Sequence, residues 1–542
     1  MKQVLGVILV AFMSPLLLLS WLWTSSVAQA APTATFTVCA SGCDYATISS
    51  AVDDVPEGSL IDVQAGTFNE NVLIEQSLSI QGQGIGVTVV DGQNSGSVFE
   101  IDTGLEVTLQ DMTLQNGLSV SGGGGIYNDG TLTATNLLIQ NNTAHCADGG
   151  GILNWDQITM QDVELTNNAA NFGGAFSNAR DALVTAERIT VTQNDAVRCI
   201  DVLGEGGGIE NNGVFSLADS LVQQNSADGD GGGIVNGQIL TVTLSTIADN
   251  SAAGQGGGLD NIYDLGVAAT ATIIDSTIQG NPAVSGGGVN NAGEIQLLTS
   301  LVHSNSAGSG PGGGIHNMND TGQAGLIYIT NSTISGNQAG QGGGIHDEGS
   351  GTTAVIRSST IVDNSSSAGS GGNLFNDTGT ITLASTIIAL PGAGNDCAGP
   401  GIVSNGANLD SDNSCGLGAG DLPGFSSPLL TPLRDNGGPT WTYGLLVGSP
   451  AIDAAPSAGC TAVPVSGVDQ RGQSRNIDGL DDGDFGTECD IGALELQSPT
   501  AVTLTELHVS GTGEMSLAVG TFGVLALLTG GWAAHNRRRF RR

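Results

Sequence analysis

The sequence predicts an all-β protein built as a parallel β-solenoid, in which short strands wind into stacked turns. Three observations predict this fold. A glycine-rich motif recurs from Gly123 to Asn376, short segments of alternating apolar and polar residues lie between its copies, and these segments show no helical periodicity. Because units this short cannot bury a core alone, they must stack on their neighbours.

The repeated motif consists of two or three glycines, an aliphatic residue or Phe, any residue, and then Asn. Its apolar position occurs at residues 126, 152, 176, 209, 234, 259, 289, 315, 345 and 374. The nine intervals between 126 and 374 average 27.6 residues. We expect one turn per copy, so ten turns at ~4.8 Å each would give a rod about 48 Å long.

The Asn that closes each motif predicts a ladder of stacked amides along the axis. The predicted ladder consists of Asn128, Asn154, Asn178, Asn211, Asn236, Asn261, Asn291, Asn317 and Asn376, with Asp347 in place of Asn in one copy. A second phrase, in which Asn follows an aliphatic residue by three positions, recurs between the motifs, as at Asn142 and Asn250. Both columns are expected to hold the turns in register and not to catalyse.

These paired phrases resemble the GGA[ILV] and FxxN repeats of polymorphic outer-membrane-protein passengers and, more broadly, right-handed parallel β-helix proteins. The sequence departs from those passengers in having Ile, Val or Leu where they favour Phe. The resemblance implies a right-handed parallel β-helix over residues 121–392.

Residues 31–120 are predicted to form an N-terminal cap and the first turns. The segment from Cys43 to Val52 predicts a short helix with Asp44 at its N-cap. This stretch resembles the opening of pectin-methylesterase-like and pectate-lyase-like β-helices, in which a helix plugs the open end. A cap is required because an exposed solenoid end would pair with other strands.

Residues 393–496 differ in composition from the repeats and are predicted to form a C-terminal capping domain. Their motifs, in chain order, include Leu433–Thr440, Gly448–Asp453, Asp469–Gly472 and Cys489–Glu495. Together they resemble the choice-of-anchor Q domain of bacterial surface proteins, which follows β-helix regions and precedes varied C-terminal anchors.

Both ends of the chain predict export and anchoring. Residues 1–30 have the pattern of a secretory signal peptide ending in Ala28-Gln29-Ala30, with an uncleaved membrane helix as the alternative. After a linker at 497–514, the uncharged residues 515–534 are long enough to cross a bilayer, with a buried core helix as the alternative. The Arg-rich tail at 535–542 favours a cytoplasmic C-terminus.

The charge balance excludes several functions. The chain has 13 Lys and Arg against 52 Asp and Glu, and a formal net charge of −39. Such an acidic body repels phosphate backbones, so neither nucleic-acid nor nucleotide binding is expected. Lys2 is the only lysine in the sequence, which excludes P-loop phosphate binding and Schiff-base chemistry after signal cleavage.

Eight cysteines in an exported chain suggest disulfides, with zinc ligation as the alternative. Their spacing favours the pairs Cys39–Cys43, Cys146–Cys199, Cys397–Cys415 and Cys460–Cys489. The second pair joins positions two turns apart, about 9.6 Å, whereas a disulfide needs Cα atoms within about 7 Å. The long interval that contains the second cysteine of this pair offers spare loop to close the gap.

Two clusters are candidate sites. His316 and His346 occupy the same motif position in successive turns, with Asp347 and Glu348 beside them, and could bind a metal or exchange protons. The alternative, which we favour at the level of sequence, is a pair of solvated, outward-pointing histidines.

The second cluster is an acidic, glycine-containing segment near the C-terminal end of the capping domain. Its carboxylates resemble those of a calcium loop because Ca²⁺ prefers six to eight oxygen ligands on a tightly turning chain. The candidate ligands are Asp478, Asp481, Asp482 and Asp484. The alternative is a plain acidic turn, and calcium is the only cofactor that the sequence suggests.

Catalytic motifs of polysaccharide lyases, hydrolases or esterases are not recognisable in the sequence. We therefore expect a membrane-anchored cell-surface protein that adheres to or interacts with cell-surface glycans or proteins, without catalysis. The alternatives are a polysaccharide lyase or glycoside hydrolase on the same fold and a passive surface-layer component.

Overall fold

A computed structural model describes residues 34–264, 267–320, 322–475 and 488–497. They belong to one compact unit, in which the chain winds as a parallel β-solenoid of about 14 turns. The predicted signal peptide, the calcium-loop aspartates, the membrane anchor and the Arg-rich tail lie outside the described residues. Within the described residues no helix is long and apolar enough to cross a membrane.

The long sheet contains 28 strands and follows two consecutive sides of the solenoid. Strands on its first side are Thr35–Val38, Leu60–Val63, Leu78–Gln81, Glu106–Gln115, Thr131–Gln140, Gln157–Gln161, Leu183–Glu187, Val214–Ala218, Ile239–Thr243, Thr270–Ile274, Glu294–Leu298, Leu326–Thr330, Thr353–Arg357, Thr380–Ala384 and Ile402–Ser404. Strands on its second side are Gly66–Asn69, Thr88–Asp91, Glu164–Thr166, Thr190–Thr192, Leu221–Gln223, Thr246–Ala248, Thr277–Gln279, Leu301–His303, Thr333–Ser335, Thr360–Val362, Ile387–Ala389, Leu409–Asp410 and Leu422–Pro423. Two ten-residue strands, Glu106–Gln115 and Thr131–Gln140, span both sides.

The third side of the solenoid is formed by the strands that carry the repeated motif, here called the motif sheet. Its strands are Val72–Ile74, Phe99–Ile101, Ile126–Asn128, Ile152–Asn154, Phe176–Asn178, Ile209–Asn211, Ile234–Asn236, Leu259–Asn261, Val289–Asn291, Ile315–Asp320, Ile345–Glu348, Leu374–Asn376 and Cys397–Ala398. They pair in parallel and in register, so that equivalent motif positions stack directly. The predicted one turn per motif is confirmed.

Short strands complete the corners. A six-stranded sheet consists of Leu118–Ser119, Thr143–Ala144, Ala169–Ala170, Asp195–Ala196, Ser226–Ala227 and Ser251–Ala252, and Gln338–Gln341 pairs with Ser365–Ser370 further along. Small hairpins join Tyr263–Asp264 to Val267–Ala268 and the end of Ile315–Asp320 to Gln323–Ala324. Both hairpins occupy long intervals after the motif, where the sequence allows an insertion outside the core.

The core is a set of apolar columns because alternate residues of each strand point inward. The apolar motif position is buried in every copy, as at Ile126, Phe176 and Ile345. Sharp corners between strands require a left-handed backbone, and Gly, Asn and Asp occupy many of them because they adopt it at little cost. The glycines of the motif are needed for another reason as well. At Gly312, φ is +64° and a Cβ would lie 2.5 Å from the carbonyl oxygen of Ile315.

The N-terminal cap is the helix Ile48–Asp54 (α1). The prediction of a capping helix is correct, but its start is not. Thr47 is the N-cap, and its side chain accepts a hydrogen bond from the Ser50 backbone N–H at 3.2 Å. Asp44 instead accepts hydrogen bonds from the backbone and hydroxyl of Thr37, both at 2.8 Å, which hold it to the first strand.

The C-terminal segment folds back along the last turns of the solenoid. Beyond Leu422–Pro423 it contains the pair Ala455–Pro456 and Glu488–Cys489 and the helix Ser457–Thr461 (α2). Its apolar side chains share a second core with residues of the long sheet. The end of the solenoid and one flank of its last turns are therefore covered by the chain's own C-terminal segment.

Candidate functional site

The candidate site is a column of side chains on the outer face of the motif sheet, at the position between the apolar residue and Asn. We call it the outer column. From the N-terminal end, its members are Leu73, Glu100, Tyr127, Leu153, Ser177, Glu210, Val235, Asp260, Asn290, His316, His346, Phe375 and Ala398. These side chains point away from the core, and yet many of them are buried.

Burial of the outer column follows from the glycine turn that precedes each motif strand. The left-handed glycine turn folds closely over the column residue four positions later. A Cβ at Gly312 would lie 2.6 Å from the Cβ of His316, and one at Gly342 would lie 2.8 Å from the Cβ of His346. The glycine turn therefore lies against the base of each of these column side chains.

A chain of polar contacts connects four successive turns along the outer column. The Asn290 Nδ2 donates to Asp260 Oδ1 at 2.8 Å, and the Asn290 Oδ1 lies 3.0 Å from His316 Nδ1. On the other side of the ring, His316 Nε2 lies 2.9 Å from Glu348 Oε2. Since the amide oxygen can only accept, His316 carries a proton on Nδ1 in this arrangement.

His346 extends the column but lacks such contacts. Its ring centroid lies 5.4 Å from that of His316 and 4.8 Å from that of Phe375, which it meets edge to face. Neither of its ring nitrogens has a hydrogen-bond partner among the described residues. Burial, together with the positive charge that His316 can carry, lowers the pKa of His346 to about 4, so its ring is neutral at pH 7.

The expectation of solvated histidines is therefore wrong. Only 4% of His316 and 3% of His346 is exposed, because the glycine turns cover them. The two acids that follow His346, Asp347 and Glu348, lie on opposite faces of the strand. Alternation along the strand directs Asp347 toward the Asn ladder, and Glu348 returns to the histidine side, where its side chain is 47% exposed.

Two acids further along the column were missed by the sequence argument. Burial raises the pKa of Glu210 to about 7, although Ser177 donates a hydrogen bond to it. Burial likewise raises the pKa of Asp260 to about 7, against the opposing effect of Asn290. The position between the apolar residue and Asn in the motif was the available signal, but its variety of side chains hid the shared location.

The predicted Asn ladder is present from Asn128 to Asn317. Each Nδ2 donates to the next Oδ1 at 2.7–2.9 Å, and the Asn317 amide donates to Asp347 Oδ1 at 2.6 Å. Asn376 continues the column in position, but its described hydrogen bonds are to Gly379 and Pro400. This column holds register and presents no reactive group to solvent.

Two further ladders run along the solenoid. The second Asn phrase forms one from Asn142 to Asn373, which ends on Asp396 at 2.8 Å. A serine ladder from Ser220 to Ser359, in which each backbone N–H donates to the next hydroxyl at 3.0–3.3 Å, was not predicted. Serine is common in turns, so its periodic recurrence was a weak signal.

All eight cysteines form the four predicted disulfides. The doubtful pair, Cys146–Cys199, has a Cα–Cα distance of 5.2 Å. The loop after residue 196 folds back toward the earlier turn and so brings Cys199 within disulfide distance of Cys146. The zinc alternative for these cysteines is therefore excluded.

The loop from Val197 to Leu203, which we call the stapled loop, is a second candidate site. Cys199 and Val202 pair as a tight antiparallel bridge, with both backbone hydrogen bonds at 2.9 Å. At the tip, Ile200 has φ +53° and is 85% exposed. A β-branched residue in the left-handed region costs about 1–2 kcal/mol, and the disulfide holds it there.

A cluster of three aspartates at the end of the solenoid is structural. Asp396 accepts hydrogen bonds from Asn373, from the backbone and hydroxyl of Ser411, and from the backbone of Asp412. Asp410 accepts backbone hydrogen bonds, including one from Cys415 at 2.9 Å. Because donors already surround these carboxylates, the cluster closes the ladder and offers no open ligand set.

No family model matches the chain, and no curated protein matches it. Solved structures that match include the A-modules of the Azotobacter vinelandii mannuronan C-5 epimerases AlgE6 and AlgE4. Their identities are 14% and 13%, their TM-scores 0.40 and 0.38, and the matches cover 67% and 66% of this chain and 93% and 95% of theirs. Pectate lyase Pel9A matches at 12% identity and a TM-score of 0.31 over 86% of this chain and 97% of its own. At TM-scores below 0.5, these likenesses say nothing about activity.

Proposed function

We propose that this protein is an exported bacterial surface protein whose acidic, right-handed solenoid is anchored by its C-terminal helix and adheres to other surfaces without catalysis. The four disulfides support an oxidising, extracytoplasmic location. Right-handed winding is supported by the strong preference of parallel strand crossovers for that hand. Anchoring rests on the sequence pattern at 515–534 and on the resemblance of 393–496 to choice-of-anchor Q domains.

The stapled loop is the observation that carries adhesion. Its exposed apolar side chains are Val197, Ile200, Val202 and Leu203. Exposed apolar clusters that are held in a strained backbone are typical of interaction sites, because folding alone gains nothing from them.

The partner that fits the stapled loop is a protein surface with an apolar pocket and a basic rim. An acidic body of this kind attracts basic surfaces and repels acidic polysaccharides. The apolar tip would fill the pocket while exposed carboxylates in and beside the loop, those of Asp195, Asp201 and Asp228, pair with the rim. This proposal favours protein partners over the glycans that the sequence also allowed.

Bacteria that display the full-length chain can test the proposal. We expect them to attach to surfaces coated with basic proteins and not to surfaces coated with acidic or neutral polysaccharides. Ile200→Asp should reduce attachment at least tenfold, since a charge at the tip cannot enter an apolar pocket. The matched control is Val447→Asp, which changes an apolar residue that is 89% exposed in the C-terminal segment and should leave attachment unchanged.

Equal attachment by the two variants would contradict a role for the stapled loop. The same cells are incubated with uronate and neutral polysaccharides while reducing ends and unsaturated products are measured. Release of either product would favour a lyase or hydrolase and would sink the non-catalytic proposal. No attachment to any surface would instead support a passive surface-layer component.

A further inference from the structure

We propose that His316, His346 and Glu348 form a binding site for a divalent transition-metal ion, with zinc as the preferred ion. This site is independent of the adhesion proposed above. One ligand atom from each of the three side chains lies within 4.8 Å of the other two. All three project from two adjacent strands of the motif sheet, so a bound ion would link two successive turns of the solenoid.

The distances suit a small ion with only modest side-chain movement. Tetrahedral zinc with ligands at about 2.0–2.1 Å places its ligand atoms about 3.3 Å apart. His316 Nε2 and Glu348 Oε2 are already 2.9 Å apart. A small rotation of the half-exposed Glu348 would open the space for the ion between these two atoms.

His316 is already oriented for metal binding by the residues behind it. A metal-binding histidine usually donates its second ring N–H to an oxygen, which fixes the ring and selects the tautomer. Here the Nδ1–H donates to Asn290 Oδ1, and Nε2 faces Glu348 as the ring nitrogen that would bind the ion. Asn290 is in turn held by Asp260. This chain has the form of the outer-shell support that metal sites require.

His346 supplies the independent sign of a ligand. Both of its ring nitrogens are buried without a partner among the described residues, and a buried polar group left without a partner is destabilising. Phe375 packs against the ring and fixes its orientation. A metal ion shared with His316 would satisfy one of these nitrogens.

The donor set favours zinc over calcium. Two imidazoles and one carboxylate match the nitrogen-rich ligands that zinc prefers, whereas calcium takes oxygen ligands almost exclusively. Since the Glu348 side chain is 47% exposed, the ion would have a route from solvent and an open fourth position for water. Both histidines are themselves nearly fully buried.

Zinc titration of the full-length chain after chelator treatment tests the site. We expect one zinc ion per chain at this site and a higher thermal midpoint on zinc addition, because an ion that binds the folded state alone stabilises it. Cobalt(II) should give the visible absorption of a tetrahedral site with nitrogen ligands. Calcium is titrated in parallel to detect the separate acidic segment near the C-terminus.

The variants His346→Gln and Glu348→Gln should each weaken zinc binding at least tenfold and abolish the cobalt spectrum. The matched controls are His303→Gln and Glu294→Gln. His303 is a half-buried histidine and Glu294 is a partly buried acid, and both lie on the long sheet. Both variants should bind zinc within twofold of the wild type. Asn290→Leu leaves all three ligands in place and should weaken zinc binding about 10–100-fold if it orients His316.

Three results would overturn the proposal. The first is a wild-type chain with no zinc-dependent midpoint and no cobalt spectrum, which needs no variant and so does not depend on variant folding. The second is undiminished zinc binding in both His346→Gln and Glu348→Gln. The third is a loss of binding in the two control variants that equals the loss in the ligand variants.

Discussion

Asp347 interrupts the Asn ladder because its carboxylate has an oxygen where Asn has the NH₂ group that donates to the next residue. Each Asn in the ladder accepts a hydrogen bond from one neighbour and donates one to the next. Asp347 accepts from Asn317, but an ionised carboxylate has no proton to donate toward Asn376. Burial raises the pKa of Asp347 to about 6, so at neutral pH a desolvated charge is present where an amide would be neutral.

We expect Asp347→Asn to stabilise the protein by about 1 kcal/mol at pH 7.5, because it adds a donor and removes a buried charge. The matched control is Asn236→Asp in the middle of the same ladder, which removes a donor and should destabilise by at least as much. Thermal midpoints of both variants measure the effect. Destabilisation by Asp347→Asn would show that the carboxylate has a role that the ladder does not explain.

At the scale of elements, the C-terminal segment is held to the solenoid by Arg475. Its fully buried guanidinium donates to Asn331 Oδ1 at 3.0 Å on the solenoid and to the carbonyl of Gly492 at 2.7 Å in its own segment. It also lies 3.7 Å from Glu495. Burial lowers the pKa of Arg475 while nearby acids oppose that effect, so the charge is retained by its partners.

Arg475→Met should therefore loosen the C-terminal segment, since removing one partner of a buried network typically costs about 3–5 kcal/mol. We expect limited proteolysis to cut within 425–497 first, while the solenoid turns before residue 390 persist. Arg434→Met is the control, because that side chain is exposed and its hydrogen bond within the described part of the chain is local, to Asn436. Simultaneous loss of both regions in Arg475→Met would show that the segment and the solenoid unfold together.

At the scale of the whole molecule, stability should depend strongly on pH. Folding raises the pKa of Glu210 and Asp260 to about 7, so between pH 4.5 and 7 the folded state binds more protons than the unfolded state. The free energy of unfolding therefore falls as pH rises through this window. His346, whose pKa is lowered to about 4, acts in the opposite direction below pH 6.5. Burial also raises the pKa of Asp347 to about 6 and that of Asp396 to about 7, so these acids act with Glu210 and Asp260 against the histidine. Relief of the net negative charge at low pH acts in the same direction as the acids.

We expect a higher thermal midpoint at pH 5.5 than at pH 8, measured in high salt to screen long-range repulsion. Glu210→Gln should flatten the profile by about 1–2 kcal/mol across that range, since it removes one titrating group. Glu100→Gln is the matched control, because it changes an exposed acid of the same outer column. A midpoint that rises from pH 5.5 to pH 8 in the wild type would contradict this account.

The solenoid, the Asn ladder and the disulfide pairs were all predictable from the sequence. Each depends on a repeat period that brings equivalent residues together whatever the exact path of the chain. Ile315 and Ile345 stack because they occupy the same motif position, and so do Asn317 and Asp347. Even the doubtful pair Cys146–Cys199 could be proposed from the spare length of one interval.

Only the tertiary structure decided how deeply the candidate-site residues are buried and which residues contact one another there. Alternation predicts that His316 and His346 point outward, but the close glycine turn buries them, and its reach depends on backbone geometry that spacing does not specify. The tertiary structure also places Asp347 in the Asn ladder, beside Asn317, and Glu348 beside His316. Local periodicity determines which residues stack, whereas burial is set by whatever part of the chain lies over them.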